Sequence, residues 1–128
     1  MPAQRTRTVL VVEDADMCAS TLEIAFISLP GVAVRCLRTA EEALDTLSRE
    51  SVSALVTDLH LPSMDGFELI ERVRRQPEFA RLPLLVVSGD SDPRTPERTL
   101  RLGADAFFSK PYSPAEVRSK LEQLIDAV

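Results

Sequence analysis

Five short apolar runs, each followed by a stretch that repeats its apolar residues at helical spacing, constrain this chain more than any other feature. The runs are Thr8 to Val12, Val32 to Leu37, Val52 to Val56, Pro83 to Ser88 and Ala104 to Ser109. They are short and mostly apolar with β-branched residues, the pattern of strands buried in a parallel sheet. A helix is expected over Ala15 to Leu29, with Cys18, Leu22, Ala25, Phe26 and Leu29 on one face and Pro30-Gly31 as its stop. Thr39 reads as the N-cap of a second helix, with Glu42 as its capping-box partner and Ala43, Leu44 and Leu47 along its length. The third follows a loop of turn formers, Pro62, Asp65 and Gly66, and carries Phe67, Ile70 and Val73; the chain leaves it through Gln76-Pro77. Arg94 to Leu102 forms a short fourth helix, with Pro96 in its first turn and Gly103 as its cap. Ser113-Pro114-Ala115-Glu116 starts the fifth, whose apolar face is Val117, Leu121, Leu124 and Ile125. Strand and helix alternating five times predict an α/β fold, a doubly wound five-stranded parallel sheet covered on both faces.

Length and composition narrow the function classes. The 128 residues suit one domain, 1–128 with a core of about 7–127, and no repeat, low-complexity run or linker divides them. A net charge of −5 argues against non-specific nucleic-acid binding and against attraction to anionic membranes. No apolar run approaches a membrane span, and Met1 to Thr8 has arginines but no signal-peptide core. A soluble cytoplasmic protein is expected. Cys18 and Cys36 have neither a CxxC spacing nor a histidine cluster nearby, which argues against zinc; both read as small core residues in apolar surroundings.

In an open α/β sheet, residues just past the carboxyl ends of the strands meet at one edge. Here those places carry Glu13 and Asp14, then Asp58, Ser88 and Lys110, while the second strand supplies only Arg38 and Thr39. Three carboxylates in one crevice repel unless a cation sits among them, and Mg2+ takes oxygen ligands of this kind. A lysine would neutralise a bound anion, and a serine hydroxyl could donate to a phosphoryl oxygen. The set suits phosphoryl transfer to a carboxylate. Each residue alone has a plainer reading: Asp58 as a turn-starting acid, Glu13-Asp14 as a solvated helix start, Lys110 as a loop charge, Ser88 as a turn residue. Their joint placement at the ends of the right strands favours a site. Glu13-Asp14 stands where a dinucleotide-binding fold needs a glycine-rich loop.

Over nearly its whole length the chain resembles the CheY-like response regulator receiver family of two-component signalling. The resemblance rests on Val11-Val12-Glu13-Asp14, the run from Asp58 to Gly66, Val86-Val87-Ser88-Gly89, Gly103-Ala104-Asp105-Ala106-Phe107 and Lys110-Pro111. It implies a flavodoxin-like sheet in the order 2-1-3-4-5. It implies that Asp58 accepts a phosphoryl group from a histidine kinase or phosphotransfer protein. Glu13, Asp14, Asp58 and the His60 backbone carbonyl would bind Mg2+, Lys110 would pair with the phosphoryl group and Ser88 would hydrogen-bond to it. Ser88 and Phe107 would form the switch, and the side chains of His60 and Asp90 would flank the phosphoryl group and set its lifetime. Such a domain is not an ordinary enzyme, since it catalyses only its own phosphorylation and dephosphorylation. Its readout would be the surface of the fourth helix, fifth strand and fifth helix, offered to a downstream protein or a second copy, with no direct contact to nucleic acid or membrane. Arg94, Arg98 and Arg101 would share one face there if Arg94 is helical.

Several positions depart from the family's commonest form. Glu13 replaces the usual aspartate with a longer arm. Ser88 replaces threonine but keeps the hydroxyl. Phe107 replaces tyrosine and loses the phenolic oxygen, so a switch here must act by packing. His60 is unusual at its place and reads as an exposed loop side chain. A phosphohydrolase of the haloacid dehalogenase type would need a second acid where His60 stands. The alternative is a vestigial, phosphorylation-independent adaptor.

Overall fold

A computed structural model describes residues 7–14, 25–26 and 29–126. Its strands are β1 (Arg7–Val12), β2 (Val32–Leu37), β3 (Ala54–Thr57), β4 (Leu84–Ser88) and β5 (Ala106–Ser109). All neighbours pair in parallel, in the order β2-β1-β3-β4-β5. The first expected helix, α1 over Ala15 to Leu29, lies mostly outside the described residues; within them Ala25 and Phe26 are helical, and Phe26 and Leu29 are buried. The others are α2 (Ala40–Arg49), α3 (Gly66–Arg75), α4 (Thr95–Leu102) and α5 (Pro114–Asp126). A short 3-10 turn at Pro77–Phe79, which the sequence reading did not anticipate, follows α3.

Alternate residues of a strand point to opposite faces, and this divides the core in two. Leu10, Val12, Leu55, Leu84 and Val86 pack on one face against Ala43 and Leu47 of α2 and Leu69, Ile70 and Val73 of α3. Val9, Val11, Val56, Leu85 and Val87 pack on the other against Phe26 and against Val117, Leu121 and Ile125 of α5. Both faces of the three central strands are therefore buried, which is why those strands read as continuous apolar runs.

The expected caps form. The Thr39 hydroxyl accepts from the Glu42 N–H and donates to its carboxylate. Ser113 accepts from the Glu116 N–H at the start of α5, and Asp65, expected only as a turn former, also caps α3 by accepting from the Glu68 N–H. Gly103 ends α4 with φ +123°, a conformation that suits glycine.

Two expectations are corrected. Cys36 is exposed rather than in the core, because β2 is an edge strand with no fully buried residue and Cys36 lies near its carboxyl end; Cys18 lies outside the described residues. Arg94 stands at the N-cap position of α4 rather than within it, without a side-chain cap, and Asp92 accepts from its backbone N–H and pairs with its guanidinium. The three arginines accordingly form no open basic stripe: Arg101 pairs with Glu97, and Arg98 lies over the Phe67 ring.

Candidate functional site

The chain runs from β1 to β2 on one side and from β3 to β5 on the other, so the strand order reverses beside β1 and β3. A crevice opens at such a reversal, outside the carboxyl ends of the strands. Glu13 leaves β1 and Asp58 leaves β3 at this point. The backbone holds both in place: Glu13 N–H donates to Leu37 O (2.9 Å) and Asp58 N–H to Val12 O (2.9 Å).

Asp58 is only 7% exposed and Glu13 9%. The Asp58 Oδ1 accepts from the N–H groups of Leu59 (2.6 Å) and His60 (3.2 Å). Its Oδ2 accepts from Lys110 Nζ at 2.8 Å, and the same ammonium donates to Glu13 Oε1 at 2.5 Å. Lys110 is brought there from the end of β5, where its N–H donates to Ser88 O. Burial works against the charged ammonium, but the hydrogen bonds to Asp58 and Glu13 outweigh it and hold the Lys110 pKa above its ordinary value.

Gly66 fixes the loop after Asp58. Its N–H donates to Leu59 O, and a Cβ built on it would lie 2.3 Å from Asp58 O and 2.6 Å from Leu59 Cα. The Asp65-Gly66 pair signals a turn in the sequence, but this contact becomes visible only once the loop has closed.

Ser88 is fully buried, and its Oγ accepts from the Asp90 N–H at 3.1 Å. It lies two residues beyond Val86 and hence on the same face, where Phe107, in register with Val86 on the neighbouring strand, packs against the core cluster that holds Leu84 and Val86. The exposed His60 ring lies across from Asp90, with Nε2 3.5 Å from Oδ2. Asp90 Oδ1 accepts from the Asp92 N–H, so the acid is held by its own loop.

The structure thus brings together Glu13, Asp58 and Lys110, places Ser88 and Phe107 on one face, and sets His60 against Asp90. Asp14 is exposed at the position after Glu13. Among the described residues no three His, Cys, Asp or Glu side chains converge into a metal-holding group. The donors themselves suit a hard divalent cation. Glu13, Asp14 and Asp58 carry three formal negative charges against the single charge of Lys110, and every donor is oxygen.

Residues 9–122 match the family described as the response regulator receiver domain. The chain is 33% identical over 125 residues to a gliding motility regulatory protein of Myxococcus xanthus, covering 98% of this chain and 16% of that protein. It is 30% identical over 119 residues to the transcriptional regulatory protein GltR of Pseudomonas aeruginosa, covering 93% of this chain and 49% of that protein. It therefore spans half or less of these two relatives. Among solved structures, the signal receiver domain of a signal transduction histidine kinase from Syntrophus aciditrophicus superposes with a TM-score of 0.85 at 30% identity, over 95% of this chain and 92% of that one.

Proposed function

The chain belongs to the response regulator receiver family of two-component signalling, and from that membership we propose that Asp58 is its phosphoacceptor. Receiver domains are signalling domains that pair with histidine kinases. On this reading an Asp58 carboxylate oxygen forms a bond to phosphorus as the bond from phosphorus to the donor's imidazole nitrogen breaks, and the imidazole keeps the electron pair. The observation that carries the reading is the Lys110 ammonium, which bridges Asp58 and Glu13 at the reversal of strand order. Its hydrogen bond to Asp58 would pass to a phosphoryl oxygen, so the added charge meets a cation already in place.

Receiver domains bind Mg2+, and Glu13, Asp14, Asp58 and the His60 carbonyl are the proposed ligands. When bound, the ion would neutralise charge building on the phosphoryl oxygens. Neither Lys110 nor the acids would need a second domain for this chemistry, so the protein would catalyse its own phosphorylation.

Readout through α4, β5 and α5 is part of the same proposal. Drawing the Ser88 hydroxyl toward the phosphoryl group would break its bond from Asp90 N–H. The space it leaves faces the side on which Phe107 packs, and the ring could move into it. Such a two-state packing change is the kind of element that a local charge event can bias.

The test is incubation with acetyl phosphate and Mg2+ followed by intact-mass measurement. Gain of one phosphoryl group supports the proposal. No gain would favour the phosphorylation-independent adaptor, and turnover of acetyl phosphate with no accumulated species would favour a hydrolase.

A further inference from the structure

The helix α4 is anchored differently from its neighbours. Leu69, Ile70 and Val73 fix α3 to the core, and Val117, Leu121 and Ile125 fix α5. The buried residues of α4 are Thr95 and Thr99, both polar, and the Thr99 hydroxyl is spent within the helix on Pro96 O. Leu102 is partly buried, and Leu100 faces solvent at 47% exposure. An element with so few buried apolar side chains opens more readily than the rest of a domain.

Two arginines supply what the apolar contacts do not, and they differ in kind. Arg74 of α3 is largely buried and holds the end of α4: its Nε donates to Gly103 O (2.9 Å) and its Nη1 to Phe79 O (2.7 Å), and Nη2 pairs with Asp105 (3.2 Å). This anchor sits at the residue where the chain turns out of α4, with φ +123°. Arg98, on the middle of α4, is exposed, and its guanidinium carbon lies 3.8 Å from the centre of the Phe67 ring on α3. A stack of this kind is weak at an exposed site and can be released without exposing a buried charge.

Phe67 also adjoins the phosphoacceptor loop. It follows Gly66, which has no room for a Cβ beside Asp58 O and Leu59 Cα and whose N–H donates to Leu59 O. A shift of the chain at Asp58 can therefore reach Phe67 through Gly66, by a route separate from Ser88 and Phe107.

We infer that Arg98 and Phe67 form a releasable catch, holding α4 against α3 while Arg74 and Gly103 serve as the pivot. The catch itself stands on contacts in the folded chain; only its trigger rests on Asp58 being the phosphoacceptor. Release would swing the amino-terminal part of α4 away from α3 and free both the Phe67 ring and the Arg98 guanidinium.

The experiment uses Phe67→Leu, Arg98→Gln and the double variant, with amide hydrogen exchange read separately over α3, α4 and α5. Phe67→Leu keeps an apolar side chain there and removes the ring face, so the fold is retained. Each single variant should speed exchange in α4 by about two- to fivefold, the range expected for one exposed cation–π contact, with α5 unchanged. The double variant should add nothing further, since either change alone removes the same contact. Additive effects, equal acceleration in α5, or no change in α4 would each overturn the catch. Binding of beryllofluoride in the presence of Mg2+ tests the trigger: if release accompanies phosphorylation, each variant should bind it more tightly by the same factor. Unchanged affinity with faster α4 exchange would overturn the link to Asp58 and leave the catch standing. Failure of the unaltered protein to bind beryllofluoride would count against the phosphoacceptor reading instead.

Discussion

Replacing Lys110 by methionine should destabilise the fold and should be partly rescued by neutralising Asp58. The two carboxylate oxygens lie 2.5 and 2.8 Å from one nitrogen, so they are no further than about 5.3 Å apart. With the ammonium gone, two largely buried negative charges face each other across that gap. At an effective dielectric constant of about 20 their repulsion is about 3 kcal/mol. That agrees with the loss of about 3–5 kcal/mol usual when one partner of a buried ion pair is removed. A domain of this size has about 5–15 kcal/mol in total, so Lys110→Met should fold but unfold at clearly lower urea. Adding Asp58→Asn removes one of the facing charges and should return most of the deficit. Urea unfolding at neutral pH of the unaltered protein, Lys110→Met, and the double variant gives all three values. A Lys110→Met loss below about 1 kcal/mol, or a double variant no more stable than the single, would show that Lys110 does not hold the two buried charges together.

Three further outcomes are expected. The Lys110 pKa is raised in the fold, by hydrogen bonds to Asp58 and Glu13 that outweigh burial. Its contribution is therefore complete below the unfolded lysine value of about 10.4 and is lost as pH rises through the folded value; urea titrations above that pH should show a steeper loss in the unaltered protein than in Lys110→Met, and parallel losses would contradict this. Gly66→Ala, whose Cβ would meet Asp58 O at 2.3 Å, should cost about 1–3 kcal/mol by urea unfolding and slow phosphoryl labelling; a silent substitution would show that the loop gives way freely. Asp90→Ala should lengthen the lifetime of the phosphorylated form, followed by loss of the added mass with time, because Asp90 lies opposite His60 where water would be oriented; an unchanged decay would leave Asp90 as a loop acid.

Much of this architecture is legible in the residues themselves. Strands buried on both faces, such as Leu84–Ser88, announce themselves as unbroken apolar runs, and Thr39, Asp65, Gly103 and Ser113 mark helix ends through local chemistry alone. A simple rule about strand ends places the acids and the lysine at one edge. What the sequence hid depends on which elements become neighbours. Cys36 looks like a core residue until β2 is known to lie at the sheet edge. Arg94, Arg98 and Arg101 look like one basic face until Asp92, Phe67 and Glu97 each claim one of them. Glu13 reads as a cation ligand with a longer arm; nothing in its neighbourhood of the sequence announces that the arm reaches Lys110 at the end of β5. Nor does the loop sequence reveal how closely Gly66 approaches Asp58.

Chemical trapping tests most directly whether Asp58 carries the phosphoryl group. The protein should be phosphorylated with acetyl phosphate and Mg2+, then reduced at once with borohydride, which converts an acyl phosphate to an alcohol and leaves free carboxylates untouched. Peptide sequencing by mass spectrometry then locates the reduced side chain. Homoserine is expected at position 58 and nowhere else, and is absent from Asp58→Asn. Reduction at Glu13 or Asp14, or a phosphorylated protein yielding no reduced side chain at position 58, would contradict it.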